Sequence, residues 1–316
     1  MTLLQLRVAA VQAEARDVMR LELADPRGGL LPPFEPGAHL TLHLPNGVQR
    51  QYSLAGDCRE RNRYVLGVGR AADSRGGSEY VHATLRAGAQ ISCSAPANNF
   101  ALVPDAPRYL FVAGGIGITP ILSMVRWCEV RGKAWKLVYA ARSRVRMGFY
   151  EELRAFGSRV RFHCDDEQGG PLPAAALVAD VEPGTHVYCC GPAPLMEAVR
   201  EHGAHLGAHA LHFEWFSAPA ADAVDARAEG FWVDLKRSGT SLHVPPELSI
   251  LEVLEANGHE VPFSCREGLC GTCETAVCEG TPDHRDYVHP PAQREALRTM
   301  LVCVSRAKSP RLVLDL

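Results

Sequence analysis

Eleven cysteines occur in 316 residues, and four of them have a spacing that can do redox chemistry. Cys265, Cys270 and Cys273 form C-x4-C-x2-C with Cys303 far downstream, the plant-type spacing for a [2Fe–2S] cluster. Such a cluster needs four thiolates. A tight loop delivers three of them while turning its amide N–H groups towards the inorganic sulfides, and Gly268 and Gly271 permit that bend because they carry no Cβ. The alternative is structural zinc, although zinc sites usually pair two C-x2-C knuckles and this sequence has one. A Rieske centre would need two histidine ligands, and no histidine stands at ligand spacing beside these cysteines. The chain could therefore feed an oxygenase rather than be one. Cys278 lies off the ligand spacing and reads as a buried apolar filler, as do the scattered Cys58, Cys93, Cys128 and Cys164.

A second kind of chemistry is suggested by glycine-rich turns. Ala113-Gly114-Gly115-Ile116-Gly117-Ile118-Thr119-Pro120 joins a predicted strand to a predicted helix, where amides and the positive end of the helix dipole can hold a pyrophosphate. Thr119 suits the N-cap and Pro120 the first helical position. The run is not the GxGxxG fingerprint, and its glycines could equally serve close strand-to-helix packing. A later strand-to-helix junction, Cys190-Gly191-Pro192, falls on the same sheet edge, and two such turns together favour a nucleotide crevice. Nearer the N-terminus, Arg50-Gln51-Tyr52-Ser53-Leu54 puts a cation, an aromatic ring and a hydroxyl in succession at a strand end. They could stack on and hydrogen-bond a planar anionic ligand, or be surface chemistry. Arg75-Gly76-Gly77-Ser78 opens a predicted helix with groups that suit a terminal phosphate.

The elements that must position these residues fall into three parts. Residues 1–102 read as short strands (Gln5–Ala10, Val18–Leu23, His39–Leu44, Val48–Leu54, Tyr64–Val68 and Gln90–Cys93), with Pro45-Asn46-Gly47 as a hairpin turn and one helix at Gly77–Arg86. That pattern predicts a small antiparallel barrel. Residues 103–222 alternate strands with helices, which predicts right-handed crossovers and a mostly parallel sheet with ligands at its carboxyl edge. The helices are placed at Pro120–Arg131, Phe149–Phe156, Ala174–Ala179 and Ala193–His202. An Ala- and Asp-rich linker spans Ser217–Glu229. Residues 230–316 open with two strands, then Ser249-Ile250-Leu251-Glu252 makes a capping box and Asn257-Gly258 a stop.

Composition narrows the partners. Thirty-three Lys and Arg against thirty-six Asp and Glu give a net charge of −3, so the basic field that a phosphate backbone requires is absent and nucleic acid is not expected. The longest uncharged stretch, Tyr109–Val125, contains four residues of Gly or Pro type at Gly114, Gly115, Gly117 and Pro120, too short and irregular for a bilayer span. The N-terminal residues lack a basic segment followed by a long apolar one, and a cytoplasmic chain with no membrane contact is expected.

In their order along the whole chain, the Arg50–Leu54 run, the Arg75–Ser78 turn, the Ala113–Pro120 turn, the cysteine loop and the tail Val302-Cys303-Val304-Ser305-Arg306-Ala307-Lys308 resemble the phthalate dioxygenase reductase family, which includes vanillate O-demethylase reductases. The resemblance implies a Greek-key flavin barrel, an α/β nicotinamide domain and an α+β plant-type ferredoxin domain. It implies that Arg50, Tyr52 and Ser53 line the isoalloxazine, with Ser53 near N5 and Gln51 among the cofactor-binding residues of the same run, and that Gly67, Val68 and Gly69 meet the flavin through backbone groups. Arg75, Gly76, Gly77 and Ser78 would hold its phosphate, which favours FMN over FAD. Gly115, Gly117, Cys190, Gly191 and Pro192 would shape the dinucleotide crevice, and Phe216 would cover a flavin face. Ser53, Thr119 and Cys190 are the candidates for the catalytic centre, Thr119 bridging flavin and nicotinamide. One departure bears on the donor: where some NADH-using relatives carry an acidic residue, this chain has Arg142-Ser143-Arg144, so NADH and NADPH both stay open.

The implied activity is transfer of a hydride from NAD(P)H to FMN and of single electrons through [2Fe–2S] to a Rieske-type terminal oxygenase, phthalate dioxygenase first and a vanillate system second. The cofactors carry that chemistry, which accounts for the lack of a Ser/His/Asp arrangement despite thirteen histidines. Residues 230–316 hold nine Lys and Arg against twelve Asp and Glu, a charge of −3, and an oxidised cluster adds more negative charge; docking on a basic oxygenase surface follows. A monomer suits a diffusible donor. Two alternatives stand beside this reading: a reductase for a di-iron hydroxylase or other acceptor, and a zinc-stabilised binding module with no enzymatic activity.

Overall fold

The computed structural model describes residues 3–70, 76–217, 229–263, 265–289 and 291–316. The first six strands are β1 (Leu4–Ala15), β2 (Val18–Ala24), β3 (His39–His43), β4 (Gln49–Ser53), β5 (Tyr64–Gly69) and β6 (Gln90–Cys93), with helix α1 (Gly77–Ala83) between the last two. They form an antiparallel sheet in the order β4-β3-β6-β1-β2-β5. Just past β4, Leu54 bridges to Leu66 of β5 and the Ala55 amide donates to the Val65 carbonyl, so the first and last strands meet and the sheet curls into a barrel. Closure removes the exposed edges that an open sheet would present. The β3–β4 hairpin turns at Asn46-Gly47, where Gly47 takes φ +81°, a conformation that costs glycine little. Leu21, Leu23, Leu40, Leu42 and Leu66 fill the interior, all fully buried.

Five parallel strands follow: β7 (Arg108–Gly114), β8 (Ala134–Ala141), β9 (Val160–Cys164), β10 (Thr185–Cys190) and β11 (Leu211–Glu214). Their order is β11-β10-β7-β8-β9. The chain runs outward from β7 to β9 and then returns to the other side of β7. The direction of winding therefore reverses between β7 and β10, the crevice where open α/β sheets bind ligands. The interleaved helices are α2 (Ile118–Arg131), α3 (Tyr150–Arg154), α4 (Asp165–Gln168), α5 (Ala174–Val178) and α6 (Ala193–His202). Ala55, Val65 and Phe100 share one buried core with Phe111, Ile121 and Tyr188, which is why the barrel and the parallel sheet make a single compact unit, Met1–Phe216.

The second unit, Ser217–Leu316, is built on β12 (Phe231–Leu235), β13 (Thr240–Val244), α7 (Ile250–Ala256), β14 (Glu274–Glu279), β15 (Pro282–Asp283), α8 (Pro291–Arg294), β16 (Thr299–Leu301), β17 (Arg306–Ala307) and β18 (Arg311–Leu314). Its main sheet has the order β13-β12-β18-β14-β16, with β15 and β17 paired separately. The capping box is formed: Ser249 Oγ accepts from the Glu252 amide at 3.2 Å and the Ser249 amide donates to Glu252 Oε2 at 2.8 Å. Asn257 closes α7 and Gly258 follows at φ +76°.

Three local expectations are corrected. Helix α2 begins at Ile118 after a 3-10 turn over Gly115–Gly117, so Gly117 takes the cap position, Pro120 is the third helical residue, and the Thr119 hydroxyl donates instead to the Ile116 carbonyl at 3.0 Å. The helix predicted from Phe149 to Phe156 shrinks to α3, because Phe149 adopts φ +59° and its amide donates to Glu14 Oε1 at 2.9 Å rather than entering a helix. Cys278 is exposed, not a core filler: it is at the solvent face of β14, between the register shift at Val277 and Glu279. Cys58 is half-buried, while Cys93, Cys128 and Cys164 are buried. Most of the predicted linker, 218–228, lies outside the described residues, and among those described no helix is long and apolar enough to cross a membrane.

Candidate functional site

The crevice is shaped by what glycine leaves out. A Cβ on Gly117 would stand 2.2 Å from the Cys190 carbonyl oxygen, and one on Gly114 would stand 2.6 Å from Pro192 Cδ. Thus the two glycine turns anticipated from sequence touch each other, at the ends of the adjacent strands β7 and β10. Gly115 is different: it is open to space and takes φ +53°. Barrel strand β5 closes on the same turn. A Cβ on Gly67 would meet Thr119 Cγ2 at 2.6 Å and Phe149 at 3.0 Å, and one on Gly69 would meet Ile116 at 3.2 Å. Gly67 is therefore brought against Thr119 and Gly69 against Ile116, while the Val68 side chain joins the barrel core and its carbonyl lies 2.9 Å from His82 Nε2.

The Arg50–Ser53 run splits between two faces of β4, since side chains alternate along a strand. Tyr52 lies opposite Leu40 and Arg50 opposite Leu42, both core residues. Burial pushes the Tyr52 phenol up to about 12, and its hydroxyl has no hydrogen-bond partner among the described residues, a buried group suited to a polar ligand atom. Arg50 crosses Gly77 so closely that a Cβ there would stand 2.5 Å from its Cγ, and the Gly76 carbonyl accepts from Asn46 Nδ2 at 3.1 Å. Arg50, Gly76, Gly77 and Ser78 thus gather near the start of α1; Arg75 lies outside the described residues. Gln51 and Ser53 occupy the other face. There the Ser53 hydroxyl donates to Glu214 Oε2 at 3.3 Å.

Glu214 is the functional candidate that the sequence reading missed. It ends β11 directly beside Cys190 in the parallel register, and burial raises its carboxyl to about 8, with the Ser53 hydrogen bond opposing that rise. The signal was a lone acid ending the Leu211-His212-Phe213-Glu214 strand, easily taken for a surface residue. Burial, with the Glu214 carboxyl as a second cause, also lifts the Cys190 thiol far above its usual value, so at neutral pH it is a protonated thiol and not a thiolate nucleophile. Ser53, Cys190 and Glu214 can hold and pass a proton but make no charged nucleophile. Phe216, two residues on, is 43% exposed. Beyond the carboxyl end of β8, Arg144 is paired with Glu167 at 2.6 Å and donates to the Tyr150 hydroxyl at 2.8 Å; Arg142 and Ser143 precede it.

In the second unit the four predicted cysteines converge. Cys265 is half-buried and Cys270, Cys273 and Cys303 are buried, and the sulfur of Cys265 lies within hydrogen-bonding reach of Cys270 and Cys303, as does that of Cys273 with Cys303. The amides of Glu267 and Leu269 point at Cys265 Sγ, each at 3.4 Å, which would stabilise a thiolate. Gly268 takes φ +69° and Gly271 φ +73°, and a Cβ on Gly268 would strike Val304 at 2.6 Å. Four sulfurs around an amide-lined loop that turns at two glycines fit a [2Fe–2S] cluster.

Comparison with known proteins agrees with this division. The oxidoreductase NAD-binding domain family matches residues 111–201, and the 2Fe-2S iron-sulfur cluster binding domain family matches residues 233–308. The chain is 46% identical over 311 residues, covering 98% of itself and 97% of its relative, to a phenoxybenzoate dioxygenase subunit beta of Ectopseudomonas oleovorans. It superposes on the crystal structure of a phthalate dioxygenase reductase with a TM-score of 0.73 at 42% identity, covering 99% of this chain and 98% of that one. It also superposes on an intact type IV self-sufficient cytochrome P450 monooxygenase with a TM-score of 0.92 at 39% identity, over 99% of this chain but only 41% of that longer one.

Proposed function

Because the chain belongs to the phthalate dioxygenase reductase family, we propose that it is the reductase component of a Rieske aromatic-ring oxygenase, a phthalate oxygenase being the first partner and a vanillate O-demethylase the second. The observation that supports this reading is the order within one chain of a barrel, a parallel sheet with a glycine-lined crevice, and a carboxyl-terminal ferredoxin fold with four convergent thiols. The protein is an NAD(P)H-dependent flavin and iron–sulfur oxidoreductase. FMN held there would supply the conversion of a hydride's two electrons into single electrons for a [2Fe–2S] cluster. That conversion suits an oxygenase, which takes one electron at a time, and a monomer suits a diffusible donor.

The chain's own residues position and insulate these groups. Arg75, Gly76, Gly77 and Ser78 would hold the flavin phosphate, while Arg50, Tyr52, Ser53, Gly67, Val68 and Gly69 would meet the ring, Arg50 crossing Gly77 on the way. Gly115, Gly117, Cys190, Gly191 and Pro192 would let the dinucleotide backbone approach the turn amides, with Thr119 between the two ligands and Phe216 over the exposed flavin face. Ser53 and Glu214 keep a proton beside the protonated Cys190 thiol. Cys265, Cys270, Cys273 and Cys303 would ligate iron. Arg144 already has a carboxylate partner in Glu167, so a 2′-phosphate on NADPH would have to compete for it.

Anaerobic titration with NADH and, separately, NADPH tests the relay. Bleaching of the flavin and cluster bands with uptake of about three electrons per chain is expected, two for FMN and one for the cluster. Failure of both donors to bleach a cofactor-replete protein would overturn the reductase reading. Adding the purified oxygenases, each with its aromatic acid, then identifies the partner by which one sustains NAD(P)H consumption.

A further inference from the structure

Beside the cysteine loop, outside any group used above, two imidazoles and a carboxylate converge in the interior of the second unit. Asp286 is completely buried. Its Oδ1 accepts the amides of Val288 at 3.1 Å and His289 at 2.8 Å, whereas Oδ2 has no hydrogen-bond partner among the described residues. His284, its side chain 5% exposed, directs Nδ1 to within 3.6 Å of that Oδ2, too far for a hydrogen bond, and neither of its ring nitrogens finds a partner. His289 Nδ1 lies 3.0 Å from Asp286 Oδ1 but also makes no hydrogen bond. Burying this many unpaired polar atoms is costly unless something satisfies them together.

We propose that His284, Asp286 and His289 form a divalent transition-metal site, distinct from the four-cysteine centre, with Glu274 on its outer side. One ligand atom from each of the three lies within 4.8 Å of the others. A tetrahedral zinc ion with bonds of 2.0–2.1 Å sets its ligand atoms about 3.3 Å apart, and each imidazole nitrogen is close to that distance from one Asp286 oxygen, His289 Nδ1 at 3.0 Å from Oδ1 and His284 Nδ1 at 3.6 Å from Oδ2. Glu274 Oε1 stands 3.3 Å from His289 Nε2 and also accepts the Thr299 hydroxyl, so it would orient His289 from outside, as carboxylates commonly do for metal-bound imidazoles. Two imidazoles with a carboxylate suit zinc and its neighbours, not calcium or magnesium, which prefer oxygen alone.

The loop is already organised for this. Arg294 donates to the carbonyls of His289 at 3.0 Å, His284 at 3.4 Å and Asp286, so its guanidinium clamps the backbone of the segment carrying all three ligands. Its positive charge is outnumbered by the carboxylates of Asp286 and Glu274. The Tyr287 amide donates to the Gly268 carbonyl at 2.9 Å, tying the same segment to the cysteine loop, so a bound ion would stiffen the support of the iron–sulfur site.

The test uses the intact protein with its flavin and cluster in place, passed over a chelating resin and titrated with zinc chloride. One zinc per chain that survives gel filtration is expected, with His284→Gln and His289→Gln each weakening its binding at least about tenfold while the visible cluster spectrum persists. Zinc X-ray absorption on the wild type should give only a nitrogen and oxygen shell near 2.0–2.1 Å with imidazole scattering, and this carries the test should either variant not fold. Retention of no zinc, equal retention by wild type and both variants, or a sulfur shell near 2.3 Å, which marks zinc in an emptied cysteine site, would each overturn the proposal.

Discussion

Glu214 carries the sharpest expectation at the scale of single residues. Its folded carboxyl titrates near 8 against 4.5 in an ordinary setting, so between these values the native state binds more protons than the unfolded one, and stability falls as pH rises. Glu214→Gln is neutral throughout and should remove this slope: its melting temperature relative to wild type is expected to rise steadily from pH 5 to pH 8. Parallel curves would show that the carboxyl ionises freely in the folded protein. What was legible in the sequence at this scale was chemistry carried by residue type and short spacing, such as the C-x4-C-x2-C run. Glu214 was not legible because an acid declares its burial only through neighbours distant in the chain, here Ser53 and Cys190. Cys278 failed in the opposite direction, since alternation along β14 turns it to solvent.

Among elements, the contact between the two strand-to-helix turns decides whether a crevice exists. Gly117→Ala would place a Cβ 2.2 Å from the backbone oxygen of Cys190, and backbone cannot give way as a flexible side chain can. Separation of β7 from β10, a lower melting temperature and loss of NAD(P)H-driven bleaching are expected. Gly115→Ala meets no atom within 4 Å and suffers only from its φ of +53°, a left-handed penalty of about 1–2 kcal/mol, so it should fold and retain bleaching at a reduced rate. Equal damage from both variants would show that backbone conformation, and not close approach, is what the turn needs. Strand and helix positions followed from periodicity, and the capping box at Ser249 and the stop at Asn257-Gly258 formed where local chemistry placed them. The start of α2 did not, because tight packing of Gly117 on Cys190 draws the helix start two residues ahead of Pro120.

For the whole molecule, charge bears on the partner. The chain carries −3 overall and −3 within residues 230–316, so if the ferredoxin unit docks on a basic oxygenase surface, electron delivery should slow as salt rises, the Debye length contracting from about 30 Å at 0.01 M to about 8 Å at 0.15 M ionic strength. Reduction of the protein's own flavin by NAD(P)H should change less. Stopped-flow measurement of both steps across that range checks this, and equal salt dependence would remove docking charge as the cause. Local sequence sufficed for the three folding patterns, the four cysteine positions and the glycine turns, because these depend on periodicity and on residues close together in the chain. Tertiary packing set that the barrel and parallel sheet share one core, that Gly67 rests on Thr119, that Ser53 finds Glu214, and that His284, Asp286 and His289 bring ligand atoms within 4.8 Å of one another. Those relations depend on which strands become neighbours and which side chains lose water, and neither is written in local spacing.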